Sequence, residues 1–367
     1  MHLIIPRQAL LQQVQRCQNV VEKRNTKPIL CNLYLKAEAN HLEVIGTDLQ
    51  MAISGKTEAH IKESGETTVS AQKFFGIIKE LDAELDVELK MKDSFLTIKS
   101  GRSRFRLSTL SPHDFPGMPQ DDTDMHFSIH HQDLSKMIQC TAFAMSSDET
   151  RKYLTGTLFE TKKEAGFSLI STDTHRLNLI HLNMDALSHN IQVIVPRKTV
   201  LEMRKVSDEQ AGEMVLSLGK HQVRLQSSDY TLTSKVIDAT FPAYQDVVPM
   251  QNPNHVHVNC KELDQALRRC MIVANDVTHD LCISFEKEGL KIAAHNVEQE
   301  QSEEFIEVKN GSDQSMMIGF NGRYLRDVLS VLDSDEIQIS YRDSLSPILL
   351  APVGQEGQKY IVMPMRI

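Results

Sequence analysis

Tryptophan is absent from these 367 residues, and aromatic side chains make up only 5% of them. A surface that grips single-stranded nucleic acid needs rings stacked along a basic groove, and the segments rich in Lys and Arg here hold few Tyr or Phe. The six cysteines, Cys17, Cys31, Cys140, Cys260, Cys270 and Cys282, form no CxxC pair. They read as reduced thiols used as small hydrophobes rather than as a disulfide framework. No apolar run approaches the roughly 18 residues of a membrane helix. The patch from Leu3 to Ile5 is cut short by Pro6 and Arg7, too little for the apolar region of a secretion signal, so a cytoplasmic protein is expected. Positive charge is also in deficit. A net charge of −9 speaks against nucleic acid as a partner unless charge is segregated on the surface.

Sequence signatures of catalysis are missing as well. There is no GxxxxGK[ST] phosphate loop, no GxGxxG after a strand, no GxSxG elbow and no HExxH helix. His255, His257 and Cys260 stand at a strand-to-helix entry with a spacing that matches no standard zinc pattern. Asp48 and Asp173 recur in Thr-Asp turns, which a metal-dependent nuclease could use as paired carboxylates. The third equivalent turn carries His295 and Asn296, and the turn-forming habit of Thr and Asp accounts better for the recurrence. No catalytic residue, metal site or cofactor is therefore assigned. A nuclease using these carboxylates and a cytoplasmic adaptor that never meets DNA are the readings left to compete with a DNA-bound scaffold.

What is present is repetition. Hydrophobic residues at 41% and charged residues at 24% are those of an ordinary globular chain, and the length predicts two or three domains. One pattern occurs three times, each copy opening with a short strand and an amphipathic helix. Its apolar face reads Leu10, Val14, Cys17, Val21, then Leu134, Ile138, Thr141, Met145, then Leu263, Leu267, Cys270, Ala274. An alternating strand and turn follows at 42–54, 167–180 and 290–303, with Thr47 and Thr172 separated by 125 residues. A second helix comes at 71–81, 196–206 and 321–332, where Lys73, Lys198 and Arg323 repeat at the same interval of 125. The first two copies close on matching segments, DFPGMP at 114–119 and TFPAYQDVVP at 240–249. Three α+β domains are expected, 1–120, 121–248 and 249–367, each with two helices packed on antiparallel sheets.

Basic residues gather on these helices, among them Arg16, Lys73, Lys79, Lys136, Arg197, Lys198 and Arg323, while acids crowd at 80–88, 121–124 and 298–307. If the helices of all three repeats lined one surface, an acidic chain would offer phosphates a basic lining without reading base sequence.

Read in order, KPILCNLYL (27–35), GTDLQM (46–51), SGRSRFRLSTL (100–110), TDTHRL (172–177), IVPRK (194–198), TSKVIDATFPAY (233–244) and YIVMPMRI (360–367) closely resemble the bacterial sliding clamps, the β subunits of DNA polymerase III holoenzyme. The likeness runs end to end. It implies a non-catalytic processivity factor and a head-to-tail homodimer whose six domains close into a ring around duplex DNA, with helices lining the hole. On the DNA-facing side it implies roles for Arg24, Lys73, Lys152, Tyr153, Arg197 and Lys198, with Lys152 standing where a second tyrosine is usual. At the dimer contact it implies a basic strand with Arg102, Arg104, Phe105 and Leu107 meeting Ile272, Val273, Glu298, Glu300, Glu303 and Glu304. It further implies a pocket for short linear motifs, formed by Leu154, Gly156, Thr172, His175, Arg176 and Leu177, by Pro242, Val247, Asn321 and Tyr324, and by Val362, Met363, Pro364, Met365 and Arg366. Implied partners are the polymerase III catalytic subunit, an ATP-dependent clamp loader, other polymerases, and mismatch-repair or ligase-type proteins. The chain departs from the family pattern at Thr174, where glycine is common, at Thr278, where an aromatic occurs, and at Asp246, where a basic residue is expected.

Overall fold

The computed structural model describes residues 1–184, 187–249, 251–308 and 315–366. Ile367, the end of the terminal motif, lies outside them. Six α-helices occur among the described residues, two per sequence repeat: α1 (Arg7–Gln18), α2 (Ala71–Glu80), α3 (His131–Thr141), α4 (Arg197–Glu209), α5 (Cys260–Cys270) and α6 (Gly322–Leu329). The faces expected from spacing are buried, with Leu10, Val14 and Cys17, Leu134, Ile138 and Thr141, and Leu263, Leu267 and Cys270 all sealed from solvent. Each buried leucine contributes about 1.5–3 kcal/mol. The first helix of each repeat is shorter than the apolar pattern suggests: Met145 and Ala274 are buried but lie beyond α3 and α5, and Val20, past the end of α1, takes the buried place expected for Val21.

The repeat also explains two cysteines. Cys17 Sγ donates to Val44 O at 3.1 Å, and Cys270 Sγ donates to Ile292 O at 3.4 Å, so the same strand carbonyl is met in the first and third copies. A Cβ on Gly46 would lie 2.3 Å from Cys17 O, which is why the strand under α1 carries glycine there.

By contacts the chain divides into two compact units, Met1–His131 with Gln210–Val236, and Gln132–Glu209 with Ile237–Ile367. These units cut across the middle repeat, and the sheets show why. The first unit holds one antiparallel sheet of 13 strands, in which Met125–His130, Glu213–Leu218, Gln222–Gln226 and Tyr230–Lys235 of the second repeat continue into Met51–Glu58 and the strands of the first. The second unit holds an eight-stranded sheet, in which Arg176–Asn183 of the second repeat pairs with Gln358–Val362 of the third, and a four-stranded sheet ordered Gln301–Glu307, Gly289–His295, Asp280–Phe285, Met316–Asn321. The two sheets of the middle repeat are thus each extended, strand by strand, by a neighbouring repeat.

Candidate functional site

Local chemistry shapes the turn that leads into Arg176–Asn183. Thr172 Oγ1 donates to Arg176 O at 2.7 Å and accepts from Thr174 N, while Asp173 Oδ1 accepts from the backbone N–H of His175 and Arg176, both at 3.0 Å. Thr174 sits at φ +80°, in the left-handed region that suits glycine, which accounts for the residue expected there. The first copy is the same: Thr47 Oγ1 donates to Met51 O, Asp48 Oδ1 accepts from Gln50 N and Met51 N, and Leu49 has φ +72°. In the third copy Asn296 Oδ1 accepts from Glu298 N and Glu300 N, with Gln299 at φ +65°. Asp48 and Asp173 are therefore spent on shaping their own turns, and a nuclease built on them finds no support.

Around this turn the second unit assembles a polar hub over an apolar floor. Arg176 donates from Nε to Asp173 Oδ2 at 3.0 Å, from Nη1 to Asp327 Oδ2 at 2.5 Å and from Nη2 to Phe143 O at 2.8 Å. Its guanidinium carbon lies 4.5 Å from the Tyr324 ring centre, a distance at which the cation is drawn to the ring face. His175 stacks on the same ring at 6.2 Å. Burial pushes the Tyr324 hydroxyl above its ordinary range, and Asp173 adds to the rise. The C-terminal segment closes the hub, since Met363 N donates to His175 O at 2.9 Å and Met365 N to Gly319 O at 2.8 Å. Below lies a buried cluster of Leu158, Ile170, Leu177, Ile194, Tyr244 and Ile361, edged by Tyr153, Ile237, Phe241 and Leu349.

Beyond Arg176 and Tyr324 of the hub, the residues expected to form a pocket fall into several groups. His175, Met363, Pro364, Pro242 and Val247 are half-buried or exposed. Leu154, Leu177 and Val362 are buried at 3% exposure or less, so they support the floor from beneath and offer no free surface to an apolar anchor. Gly156, Thr172 and Asn321 are structural: a Cβ on Gly156 would lie 2.4 Å from Val195 O, Thr172 serves the turn, and Asn321 caps α6 and donates to Thr278 O. Met365 and Arg366 line a separate cleft of about 390 Å³ with Asn275, Thr278, Asp280 and His295.

Sequence reasoning missed the residue that anchors the segment after Phe241. Tyr244 donates its hydroxyl to Glu160 Oε2 at 2.6 Å, and Glu160 is 2% exposed. Burial pushes this carboxyl up, but hydrogen bonds from Tyr244, Gln192 and Lys162 outweigh it and hold the group below its ordinary range. A lone acid inside the otherwise uncharged run GTLFET, 156–161, was the available signal.

Of the residues expected to face DNA, Arg24, Lys73, Lys152 and Lys198 are exposed, and Lys73, Lys198 and Arg323 share the first turn of α2, α4 and α6. Arg197 instead donates to Met145 O at 2.7 Å and Ser146 O at 3.2 Å, tying down the chain after α3. Tyr153 packs on the Leu177 cluster. His257 meets Gln338 across the sheet at 3.2 Å, and among the described residues no three His, Cys, Asp or Glu side chains converge on a metal position.

Two strands that leave an edge unpaired carry the residues expected at a dimer contact. Ser103–Leu110 pairs along Phe95–Ser100 on one side and with the neighbouring Gly65–Ser70 only at Thr109 and Leu110. Phe105 and Leu107 face an open groove of about 630 Å³ against Gly76, Ile77 and Leu81, and Phe105 is 39% exposed. At the other edge Gln301–Glu307 pairs only with Gly289–His295, with Phe305 54% and the nearby Ile272 83% exposed. Phe305 was not anticipated. The acids expected to meet the basic strand are partly committed at home: Arg269 binds Glu304 through two bonds of 2.6 and 2.7 Å, and Lys291 Nζ lies 2.8 Å from Glu303.

Repeated domains joined sheet to sheet, with an unpaired strand edge left in the first repeat and another in the third, define an assembly module. Family models agree, matching the N-terminal domain of the DNA polymerase III beta subunit at residues 1–119, the central domain at 128–243 and the C-terminal domain at 245–366. The beta sliding clamp of Pseudomonas aeruginosa is 37% identical over the full length of both chains, and that of Escherichia coli K12 is 33% identical over the same span. A crystal structure of the P. aeruginosa clamp superposes with a TM-score of 0.97 at 36% identity, covering both chains completely; one from Caulobacter crescentus gives 0.95 at 33%, covering 100% of this chain and 99% of the other. The chain belongs to the DNA polymerase III beta subunit family, the beta sliding clamps. It is a processivity factor of DNA polymerase, without an active site of its own.

Proposed function

We propose that two copies join head to tail, Gln301–Glu307 of one against Ser103–Leu107 of the next, into a ring that slides on duplex DNA. One observation carries this reading. Tyr230–Lys235 pairs with Met51–Glu58, and Gln358–Val362 pairs with Arg176–Asn183; the repeat-equivalent strands left over are Ser103–Leu110 and Gln301–Glu307. A third junction of the same kind consumes both open edges, which protects them from indiscriminate pairing. Sedimentation tests it: a species of twice 41.6 kDa is expected, and a strictly monomeric chain at micromolar concentration overturns it.

The exposed basic residues Arg24, Lys73, Lys152 and Lys198 fit phosphate contacts that carry no sequence information. Direct affinity for DNA is then weak, with dissociation constants on the order of 10⁻⁴–10⁻⁶ M near physiological salt and a steep salt dependence. Retention on circular DNA and loss from linear DNA after loading distinguishes a ring from an adaptor that never encircles DNA. Partners, among them the polymerase III catalytic subunit, an ATP-dependent clamp loader, and other polymerases and mismatch-repair or ligase-type proteins, dock through short segments on the surface of His175, Pro242, Val247 and Met363. A half-buried apolar surface ringed by a few fixed polar groups supports such binding. The absence of any described helix long and apolar enough to cross a membrane is compatible with work in the cytoplasm.

A further inference from the structure

The first sheet junction repeats the backbone of the second, and it too bears a cleft. At the second, Met363 N donates to His175 O at 2.9 Å; at the first, Lys235 N donates to Gln50 O at 2.9 Å. Arg176 pairs with Val362 in one register and Met51 with Ser234 in the other. Beside the first junction the turn of Leu49, the linker of Pro116 and Pro119, and the strand end at Lys235 enclose about 300 Å³, the lower end of the size of ligand pockets.

From this cleft we infer a second docking site, taking a short extended peptide of a partner protein in which an acidic residue stands beside an apolar one. Four observations carry it. Leu49 is 43% exposed while held at φ +72°, so a β-carbon strained in the left-handed region presents an apolar side chain to water, two costs with no return in the free chain. Met51, Pro116 and Pro119 continue an apolar lining. Lys235 and His221 stand exposed on the rim, and among the described residues neither has an ion-pair partner. Thr233, 2% exposed, lines the same cleft, and its Oγ1 has no hydrogen-bond partner in the described structure. The apolar lining and Asp122 on the same rim disfavour a polyanion such as nucleic acid, whereas a single carboxylate can meet Lys235 away from it.

The inference draws on the peptide-docking reading of the second junction, so the experiment separates the two. A random heptapeptide library displayed on phage is selected against the full-length protein. Dissociation constants of the enriched peptides are then measured on the wild type, on Lys235→Glu, on Leu49→Asn and on a variant lacking residues 363–367. A class of acidic–apolar peptides is expected whose binding weakens tenfold or more in Lys235→Glu and Leu49→Asn and is unchanged by the tail deletion. Because asparagine tolerates the left-handed region, Leu49→Asn keeps or raises the melting temperature while binding falls, which a merely structural leucine would not do. The site is overturned if no such class is enriched, if every enriched peptide responds only to the tail deletion, or if a single-stranded decanucleotide displaces the peptides. Failure of the second-junction reading has its own signature, an absence of peptides sensitive to the deletion.

Discussion

At the first sheet junction the linker reads Phe115, Pro116, Gly117, Met118; at the second it reads Phe241, Pro242, Ala243, Tyr244. The strands beneath them hold ion pairs of opposite order. Lys36 Nζ meets Glu38 Oε2 at 2.7 Å in the open, with side chains 40% and 69% exposed. Glu160 Oε2 meets Lys162 Nζ at 3.2 Å with the acid only 3% exposed, because the Tyr244 hydroxyl covers and binds it. Methionine has no donor to bring to such a carboxylate, so the first linker is not anchored in this way. One backbone plan therefore supports an aromatic, internally bonded surface at one junction and a polar-rimmed cleft at the other. Side chains at a few equivalent positions, not the fold, decide what each junction can bind.

The comparison is broken most forcefully at the proposed third junction. Replacing Phe105 and Leu107 together with aspartate removes burial of about 1.5–3 kcal/mol for each side chain, and sedimentation should show monomers. An unchanged dimer would move the interface elsewhere. Deleting residues 363–367 should abolish binding of a polymerase-derived peptide, for which an affinity near micromolar, about −8 kcal/mol, is expected. The dimer should survive this deletion, because neither open edge includes the tail. Equal peptide affinity for both proteins would mean that the docking surface lies elsewhere.

Glu160→Gln sharpens the contrast between the linkers. The folded chain holds this carboxyl below its ordinary value of 4.5, so its stabilising effect is present above that pH and is lost as the pH falls through the folded value. The variant should melt at a lower temperature than wild type at pH 7, with the gap closing in acid below about pH 4.5. A gap independent of pH would show that the carboxylate charge contributes nothing. The smallest effect is expected at Glu304. Its exposed partner Arg269 belongs to the same chain, and surface pairs contribute about 0–1 kcal/mol, so Glu304→Gln should shift the dimer dissociation constant less than about fivefold. A larger shift would mean that Glu304 changes partners on assembly.

Much of the site was legible from local pattern. The Thr-Asp turns were readable because a threonine hydroxyl and an aspartate carboxylate satisfy backbone N–H groups two and three residues on, a short-range chemistry that needs no partner element. Arg104 and Phe105 could be placed on an exposed strand because alternation alone sorts its faces, whereas Arg102, expected on the same strand, lies in the turn before it, since the strand begins at Ser103. The roles of Leu177 and Val362 were harder to read: an apolar residue near a pocket looks the same in sequence whether it forms the exposed wall or the buried support. Arg197 and Tyr153 illustrate the same difficulty, since a basic or aromatic residue at a helix entry does not announce that it will bond carbonyls some fifty residues earlier or pack on a core cluster.

By itself the sequence determined the three-fold repeat, the buried faces of the helices, the turns between strands and the lack of catalytic apparatus, because helical and strand periodicity and turn chemistry act over a few residues. Only the tertiary structure decided that Met51–Glu58 would take Tyr230–Lys235 as its neighbour, that Arg176–Asn183 would take Gln358–Val362, and that Glu160 would bury its charge under Tyr244. Those choices pair groups from 84 to roughly 180 residues apart. Which edge meets which depends on register, the closure of long loops and the full set of competing edges, none of which is written in any local window of the chain.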